Sequence, residues 1–565
     1  MSRVAVAAAG DAIELRVWRK LHARLIERNP DYRGPTYVCD PLLIKSQQIR
    51  VGDFEDHASF SAYYGVSSFL KKWKGHEMLT ERDRDSATFD AWLGAEQQCA
   101  LTNHRLEIEC CNGLTPVALR TIERAQRKIA QILGRCDVDA ILTRCRFSGG
   151  ATYATKRGTR LDEKVTSSLK SVTIGALPLW ERFLEIAPGV AQQFQGEVDI
   201  VDCDRLVFVE KDAFIKRGIN PVPLINGFLG QGFGRTIRAR LKAHGVNLDD
   251  QSINQRLAFH ALADGLATID LSSASDTMST GLVKLMLAAS DPGWYECLNA
   301  LRTRYTRIGD RKVLLNKFSA MGCPFTFELE SLIFYALCSA NVDSGVVSVY
   351  GDDIIVPAES YDAVVSALNW AGFIINGSKS YTSPSRFYES CGRHYFDLED
   401  VTPLYQKDVC RNVPDLVRLH NRIVRFGIRT GHIQRIWSVA CYVRKEIKRA
   451  FNCEVDYGPV VEHDQWLIDP ATVPFDKARL MAVVVPRKRK IIKHGPLTEL
   501  ALCAVKIFDS AYSNTREDGR VCLYDEDVSY VVRRRKISPL RSLPAGPASR
   551  WLPNHDPDYH RRPGR

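Results

Sequence analysis

Hydrophobic residues in the middle of this chain form short runs that are interrupted at acidic positions. Residues 346–349 and 354–356 are two such runs, and they flank the sequence Tyr-Gly-Asp-Asp at 350–353. Apolar runs on either side of a glycine turn predict two buried strands of a hairpin, with both aspartates at its tip. Residues 266–271 form a third run, which predicts a strand that contains Asp270.

Longer apolar patterns predict helices around these strands. Residues 272–276 are rich in serine and predict a loop, and the apolar positions between 282 and 286 predict a helix after it. A loop with glycine and proline at 319–325 leads into an apolar helix that ends near Ala340. Further patterns predict helices at 121–133, 415–425 and 435–451 and a strand at 482–485.

The acidic residues within these apolar segments are the first candidates for chemistry. Two carboxylates about 4 Å apart repel by roughly 4 kcal/mol at an effective dielectric constant near 20, and a hard divalent cation relieves that repulsion. Asp270 is costly inside an apolar strand unless it is paired or bound to a metal. Two alternatives stay open: Asp352 and Asp353 can belong to a solvated turn, and Asp276 can be a helix N-cap.

The order of the elements carries a resemblance to a known family. An acidic strand, a glycine loop that opens a helix and a Gly-Asp-Asp hairpin follow one another within residues 266–356. In this order the chain resembles the RNA-directed RNA polymerases of positive-strand RNA bacteriophages, the levivirus replicase family. The matching stretches lie at 99–103, 145–152, 253–256, 267–276, 326–334, 349–355 and 389–392.

The resemblance implies an α+β chain with the right-hand polymerase fold, in which an antiparallel palm sheet packs on helices between fingers and thumb. It covers roughly residues 90–405, so the two ends of the chain are assigned by position alone. The expected division is an N-terminal extension at 1–90, fingers at 91–260, a catalytic palm at 261–405, thumb and C-terminal region at 406–532 and a basic tail at 533–565.

The implied activity is RNA-templated RNA synthesis, in which an NTP adds its NMP to an RNA 3′-hydroxyl and releases pyrophosphate. By resemblance, Asp270, Asp352 and Asp353 would hold two Mg²⁺ ions, with Mn²⁺ as an alternative metal. Lys379 is similar to a lysine that stabilises the leaving pyrophosphate or donates a proton to it. A solvated turn lysine is the alternative interpretation of Lys379.

Basic residues of the expected fingers are candidates for the triphosphate. Lys211 and Arg217 match the basic motif of the family, and an arginine can bind phosphate through two nitrogens. The chain departs from the family at Phe214, where a basic residue is expected, and Lys216 supplies a charge two positions later. Which of the two lysines assists Arg217 is left open by the sequence.

Selection of the ribose is the property that separates RNA polymerases from reverse transcriptases. By resemblance, Asp276 and the loop that contains Ser319 and Gly322 approach the 2′-hydroxyl, which both donates and accepts hydrogen bonds. Reverse transcriptases place a bulky aromatic residue after the first aspartate, whereas residues 272–275 are small and polar here. This difference favours ribonucleotides. Residues 323–324 depart from the family pattern of that loop.

Charge is concentrated at the end of the chain. The net charge is +11, and residues 533–565 hold nine Arg or Lys against two Asp, together with six prolines. This composition predicts a disordered tail, whose basic start at 533–536 either contacts RNA or aids solubility. The basic segment 487–490 follows the strand predicted at 482–485 and is the better candidate for contact with an RNA backbone.

The remaining composition excludes exported and membrane-spanning classes of protein. There is no apolar run long enough to cross a bilayer, and the 16 cysteines contain no Cys-x-x-Cys pair, so reduced thiols are expected. With the resemblance, the expected location is the cytoplasm of an infected bacterial host, without a membrane partner.

Three functional hypotheses remain at this point. A phage RNA replicase is favoured, a reverse transcriptase is the second, and a catalytically inactive RNA-binding protein on a polymerase scaffold is the third. The presence of Asp270, Asp352 and Asp353 argues against the third. The family implies an RNA template and product, NTPs, host elongation factors Tu and Ts and a ribosomal OB-fold protein as partners.

Overall fold

The computed structural model of this protein describes most of the chain up to residue 471 and two short strands beyond it. The described residues are 12–36, 49–75, 80–113, 115–157, 159, 164, 170–191, 198–212, 214–460, 464–471, 479–484 and 531–536. They form many helices and several small, mostly antiparallel sheets. This confirms the expected α+β class.

A three-stranded antiparallel sheet carries the acidic hairpin. Strand Ser348–Tyr350 pairs with Asp353–Pro357, which also pairs with Leu266–Ile269. All four residues of Leu266–Ile269 are buried, because helices Ser252–Asp264 and Thr326–Ala340 pack against this sheet. Burial in this position explains why the strand reads as a continuous apolar run rather than as an alternating pattern. The hairpin and the helix that ends at Ala340 were predicted from the sequence and are confirmed. The strand predicted at 266–271 is wrong in its extent, because it is interrupted at Asp270, between strands Leu266–Ile269 and Leu271–Ser272.

The largest hydrophobic core surrounds this sheet. The helices that contribute most to it are Pro116–Leu133, Val138–Leu142, Leu177–Ile186, Leu224–Ala243, Thr280–Met286, Pro292–Leu301, Thr326–Ala340 and Tyr361–Trp370, and Leu106 of helix Glu81–Asn112 also belongs to it. The first of them begins five residues before the predicted start at 121. Thr115 caps it by accepting a hydrogen bond from the Ala118 amide (3.3 Å), and a proline at the first helical position needs no amide donor.

A second core joins the N-terminal helices to the region after residue 410. Helices Ile13–His22 and His57–Phe69 pack with Val413–Arg429 and Ile433–Phe451, the two helices predicted at 415–425 and 435–451. Phe60 stacks on Phe396 with 4.5 Å between the ring centroids. The residues expected to be an N-terminal extension therefore share one core with the segment expected to be the thumb.

The other elements connect and flank these two cores. The remaining helical segments are Ala23–Glu27, Val51–Asp53, Glu81–Asn112, Pro188–Ala191, Ser252–Asp264, Ala274–Asp276 and Ala358–Ser360. The remaining strands up to residue 471 are Ser171–Val172, Asp199–Ile200, Asp204–Arg205, Val207–Glu210, Lys216–Ile219, Leu271–Ser272, Tyr305–Ile308, Arg311–Leu314, Ile374–Ile375, Phe387–Ser390, Arg393–Phe396, Glu399–Asp400, Tyr457–Gly458 and Leu467–Ile468.

The start of the expected tail differs from the prediction. Strand Val531–Lys536 pairs antiparallel with Arg479–Val484, the strand predicted at 482–485, so the basic residues 533–536 lie in a sheet. The composition of the tail predicted disorder because composition alone does not show that another strand satisfies the backbone hydrogen bonds of these residues. The rest of the tail and the basic segment 487–490 lie outside the described residues.

Two properties of the described part bear on the class of protein. No helix in it has both the length and the apolar character needed to cross a membrane. Every cysteine in it carries a free thiol, which agrees with the expectation of reduced cysteines.

Candidate active site

The tip of the acidic hairpin is a two-residue turn that only glycine can begin. Gly351 has a φ of +61°, and a Cβ atom there would lie 2.4 Å from the ring of Phe327. The Gly351 amide donates a hydrogen bond to the Ser331 hydroxyl (3.1 Å), which fixes the turn on helix Thr326–Ala340. The next residue, Asp352, is consequently held at the surface with its side chain exposed.

The register of the sheet brings the predicted carboxylates together. Ile354 pairs with Ile269, so the next residues toward the same end of the sheet are Asp353 and Asp270. Asp352 is close enough to interact electrostatically with both of these aspartates. Three acids that are up to 83 positions apart in the sequence therefore share one end of one sheet.

Asp353 is oriented by the strand pair that follows the hairpin in the chain. Its Oδ1 accepts hydrogen bonds from the Cys391 amide (2.9 Å) and the Ser390 hydroxyl (3.3 Å). Burial, together with the negative charges of Asp352 and Asp270, raises the pKa of Asp353 to about 6 despite the bond from Cys391. This carboxylate is therefore held in place but short of positive charge.

Asp270 lies at the break between strands Leu266–Ile269 and Leu271–Ser272. Its Oδ2 accepts a hydrogen bond from Nδ2 of the Asn376 side chain (2.7 Å) and lies 3.8 Å from Nζ of Lys379. Burial raises the pKa of Asp270, although the charge of Lys379 and the bond from Asn376 oppose that shift. The structure thus places Lys379 beside the carboxylates, as predicted.

A fourth carboxylate, Glu389, was not assigned a role from the sequence. Its Oε1 lies 4.0 Å from Nζ of Lys379 and 3.6 Å from Nε2 of His394. Burial alone would lower the pKa of Lys379, but the charges of Glu389 and Asp270 outweigh it and raise that pKa, so the lysine stays cationic. An acid inside the otherwise buried strand Phe387–Ser390 was the available signal for Glu389.

Residues of the stretch 253–256 brace the hairpin, a role that the sequence did not reveal. The Asn254 side chain donates to the carbonyl of Asp353 (2.9 Å) and accepts from the Ser348 hydroxyl (2.6 Å), so it joins both strands. Gln255 donates to the carbonyl of Cys391 (3.0 Å), beside the amide that holds Asp353. Both residues support the acids through backbone carbonyls and make no hydrogen bond to the carboxylates.

The carboxylates have the chemistry of a site for a hard cation. Within the described residues, no group of three or more His, Cys, Asp or Glu side chains is gathered closely enough to hold an ion as it stands. However, burial and mutual repulsion disfavour the ionised forms of Asp270 and Asp353, and a bound divalent cation would reverse both effects. On this physical ground the donor set fits Mg²⁺ or Mn²⁺.

Asp276 forms an ion pair and does not cap a helix. Its Oδ1 lies 2.8 Å from Nζ of Lys317, which is fully buried and lies 3.4 Å from Oε1 of Glu96. The following helix, Thr280–Met286, is capped by Ser279, whose hydroxyl accepts from the Leu282 amide (3.3 Å). The helix-cap interpretation of Asp276 is therefore wrong, because Ser279 is the residue immediately before the first turn.

The loop that contains Ser319 and Gly322 is packed tightly against Asn220. Gly322 has a φ of +112°, and a Cβ atom there would lie 2.6 Å from the carbonyl oxygen of Asn220. The buried Ser319 hydroxyl makes no hydrogen bond within the described part of the chain. A buried unpaired hydroxyl in this loop is the type of group that can receive a polar ligand atom.

The basic residues expected in the fingers separate into two kinds. Nζ of Lys216 lies 2.7 Å from Glu81 and 2.8 Å from Asp85, so this lysine fixes its strand to the first turns of helix Glu81–Asn112. Lys211 and Arg217 are exposed on the same strand pair. Of the two lysines left open by the sequence, Lys216 is therefore engaged in ion pairs, whereas Lys211 is exposed.

One more acid lies beside the serine-rich segment 272–276. Glu330 is buried in helix Thr326–Ala340 and accepts a hydrogen bond from the Ser275 hydroxyl (2.6 Å). Burial, with smaller contributions from neighbouring carboxylates, raises the pKa of Glu330 to about 8, so it is protonated at neutral pH. In the sequence, the position of Glu330 within a largely apolar helix could have singled it out, but its hydrogen-bond partner Ser275 could not have been predicted.

The comparisons with known proteins agree with this arrangement. The family model described as RNA replicase, beta-chain, matches residues 36–532, which is most of the chain. The chain belongs to this family.

Named relatives within the replicase beta-chain family come from RNA bacteriophages. The RNA-directed RNA polymerase subunit beta of Enterobacteria phage SP is 35% identical over 66% of this chain and 65% of its own length. The RNA-directed RNA polymerase subunit beta of Escherichia virus Qbeta is 36% identical over 62% of this chain and 60% of its own length. The RNA-directed RNA polymerase beta chain of Enterobacteria phage GA is 32% identical over 83% of this chain and 82% of its own length. The matched part of this chain thus spans about two thirds of the first of these relatives.

A solved structure of the BmCPV RNA-dependent RNA polymerase at its elongation state is also similar. It is 13% identical, with a TM-score of 0.38, and the match covers 59% of this chain and 33% of that one. A similarity at this level supports no inference about this chain.

Proposed function

We propose that this chain catalyses RNA-templated RNA synthesis as the replicase catalytic subunit of an RNA bacteriophage. The observation that carries the proposal is the convergence of Asp270, Asp352 and Asp353 at one end of a buried sheet, beside a cationic lysine. Membership of a family whose named relatives are RNA-directed RNA polymerases supports it.

The proposed architecture is a right hand. Residues 261–405 form the palm, with the acidic hairpin and its three-stranded sheet at the centre, and 91–260 form the fingers. The thumb includes helices Val413–Arg429 and Ile433–Phe451, together with the N-terminal helices that share their core. The tip of the acidic hairpin is the proposed position of the RNA 3′ end.

The catalytic residues act mainly by position and charge. Asp270, Asp352 and Asp353 would hold two Mg²⁺ ions, which when bound supply charge neutralisation for the triphosphate and a more acidic 3′-hydroxyl. Asn376 and the Cys391 amide orient the carboxylates. These carboxylates suit divalent cations because burial and mutual repulsion leave Asp270 and Asp353 without enough neighbouring positive charge.

Lys379 is proposed to stabilise the leaving pyrophosphate. It is held between Asp270 and Glu389, and its ammonium group stays protonated in that environment. A cation fixed beside the acids can balance the negative charge that develops on the leaving oxygen, or donate a proton to it.

Contacts with the nucleotide are proposed for two further groups. Lys211 and Arg217 bind the triphosphate from the exposed strand pair. The ribose 2′-hydroxyl is recognised by Asp276, which Lys317 holds in place, and by the loop with Ser319 and Gly322. A fixed polar group can form a hydrogen bond with a hydroxyl but not with the hydrogen atom of a deoxyribose.

The partners proposed for the intact enzyme follow from the family. They are an RNA template and product, NTPs, host elongation factors Tu and Ts and a ribosomal OB-fold protein, in the cytoplasm of the infected bacterium. The term subunit beta in the names of relatives supports a complex with several chains.

The first test is the loss of catalysis in Asp352→Asn. Mg²⁺-dependent incorporation of labelled ribonucleotides on an RNA template should fall about a hundredfold or more, because several kcal/mol of charge stabilisation are lost. The thermal unfolding midpoint should not change, since Asp352 is exposed. Asp362→Asn, an exposed aspartate of helix Tyr361–Trp370, is the control and should incorporate normally.

Near-normal incorporation by Asp352→Asn would reject the proposed metal site. If neither the unaltered chain nor the variant is active, addition of purified elongation factors Tu and Ts tests for missing partners. Continued inactivity of the folded, complemented chain would reject the polymerase activity itself.

The second test concerns the ribose. Asp276→Ala should reduce the preference for ribonucleotides over deoxyribonucleotides, measured as the ratio of kcat/KM values, by about tenfold. Lys317 loses its partner in this variant, so Asp276→Asn, which keeps the shape of the side chain, is measured beside it. Unchanged selectivity in both variants would assign Asp276 to the stability of the buried ion pair alone.

A further inference from the structure

The end of helix His57–Phe69 is attached to the segment that follows the catalytic strands. The Gln406 amide donates to the carbonyl of Phe69 (2.7 Å), and the Lys74 amide donates to the carbonyl of Lys407 (2.8 Å). Nζ of Lys74 also forms an ion pair with Asp408 at 3.0 Å. Residues 69–74 are thereby fixed in place against 406–408, although more than 330 residues separate them in the sequence.

A continuous series of polar contacts connects this helix with the catalytic carboxylates. The Tyr64 hydroxyl is hydrogen-bonded to Nδ1 of His394 (2.9 Å), and Nε2 of His394 lies 3.6 Å from Glu389. Glu389 lies 4.0 Å from Lys379, which lies 3.8 Å from Asp270. The N-terminal segment is therefore a wall of the catalytic site and not a distant extension.

This wall presents two lysines that the proposed mechanism does not use. Lys71 is exposed and Lys72 is half-buried, with its Nζ 4.0 Å from the centre of the Tyr405 ring. Both interact electrostatically with Glu389, but neither forms an ion pair with any residue that the structure describes. By contrast, the neighbouring Lys74 forms an ion pair with Asp408.

Positive charge is crowded at this position. Lys72 is repelled by Lys407, Lys379 and Lys71, and Glu389 is the carboxylate that opposes this repulsion. Glu389 is itself shared with Lys379 and His394. Several cations that share one carboxylate favour the binding of an anion with well-spaced negative charges, as on a nucleic acid backbone.

We propose that Lys71 and Lys72 bind backbone phosphates of the RNA strand that lies at the catalytic carboxylates. The proposal rests on the proposed polymerase function and extends it to residues outside the expected fingers, palm and thumb. The RNA strand is favoured over the NTP triphosphate as the source of these phosphates, because both lysines lie on the side of the helices that follow residue 413. The residues proposed for the triphosphate, Lys211 and Arg217, lie on the strand pair next to helix Glu81–Asn112.

The test is RNA binding as a function of salt, in the absence of nucleotides and with the full chain as it is purified from its host. A short labelled single-stranded RNA is titrated at several KCl concentrations with the unaltered chain and with the double variant Lys71→Ala/Lys72→Ala. The slope of log K against log[salt] should become smaller by about 1.4, since each lost phosphate contact to a single strand removes about 0.7.

Two variants control for charge and fold. Lys71→Arg/Lys72→Arg keeps both positive charges and should retain the slope of the unaltered chain. Lys74→Ala removes a neighbouring lysine that is already paired with Asp408, and it should also retain that slope. Thermal unfolding of the double alanine variant should match that of the unaltered chain.

The outcomes separate the possible ligands and the two proposals. An unchanged slope in the double alanine variant overturns the inference, as does an equal decrease in Lys74→Ala. An unchanged slope with a raised KM for NTP would assign the lysines to the triphosphate and also overturn it. Because binding is measured without catalysis, a smaller slope in the double alanine variant would support the RNA contact even if the unaltered chain, complemented with elongation factors Tu and Ts, incorporates no nucleotide and the polymerase function is thereby rejected.

Discussion

At the scale of single residues, charge inside apolar sequence was the informative signal. It singled out Asp270, because an acid in a buried strand must have a compensating partner, whereas Asp352 and Asp353 were singled out by the order of elements that resembles the replicase family. The same signal was present at Glu330 and Glu389 but could not be interpreted, since their partners Ser275 and Lys379 come from other elements. The sequence could place the acids but not the groups that compensate them.

Glu330 leads to a prediction about pH and stability. In the folded chain the pKa of Glu330 is raised from 4.5 to about 8, mainly by burial. Its contribution to stability is therefore fully present below pH 4.5 and is lost as pH rises through about 8. Glu330→Gln cannot ionise, so its free energy of unfolding relative to the unaltered chain should increase by about 1 kcal/mol per pH unit between pH 5 and 8.

Urea unfolding at pH 5, 6, 7 and 8 measures this difference. Glu359→Gln, which removes an exposed carboxylate, is the matched control. A difference between Glu330→Gln and the unaltered chain that is the same at every pH would show that Glu330 is ionised in the folded protein.

At the scale of elements, the pattern of apolar and polar residues predicted those strands and helices that depend on residues close together in the sequence. The hairpin around 350–353, the strand at 266–269 and the helix that ends at Ala340 are where the apolar runs indicated. The differences are at element ends, where Thr115 extends one helix and Ser279 rather than Asp276 caps another. Ends depend on single hydrogen bonds, which a pattern of apolar residues does not encode.

The loop before helix Thr326–Ala340 gives a prediction at this scale. Gly322→Ala should lower the free energy of unfolding by about 1–3 kcal/mol, because alanine is strained at a φ of +112° and its Cβ would meet the backbone of Asn220. Urea unfolding measures the loss. Gly377→Ala is the control, since it has open space around it and should change stability by less than about 0.5 kcal/mol. Equal stability of the two variants would mean that the loop moves freely.

At the scale of the whole molecule, the described part of the chain has two large hydrophobic cores. One surrounds the acidic sheet, and the other joins helix His57–Phe69 to Val413–Arg429 and Ile433–Phe451. The sequence assigned residues 1–90 to an extension because nothing in them resembles the family. The described parts of this segment share one core with helices Val413–Arg429 and Ile433–Phe451.

The sequence by itself determined the acids, the strand, the loop and the hairpin, and the order of those elements that resembles the replicase family. Each of these depends on neighbours within a few residues or on motif order, which a single chain displays directly. Only the tertiary structure decided that Lys216 is held by Glu81 and Asp85, that Lys317 holds Asp276 and that Lys71 and Lys72 border the site. Such pairings join residues that are far apart in the chain, and burial and charge act on them only after the chain has folded.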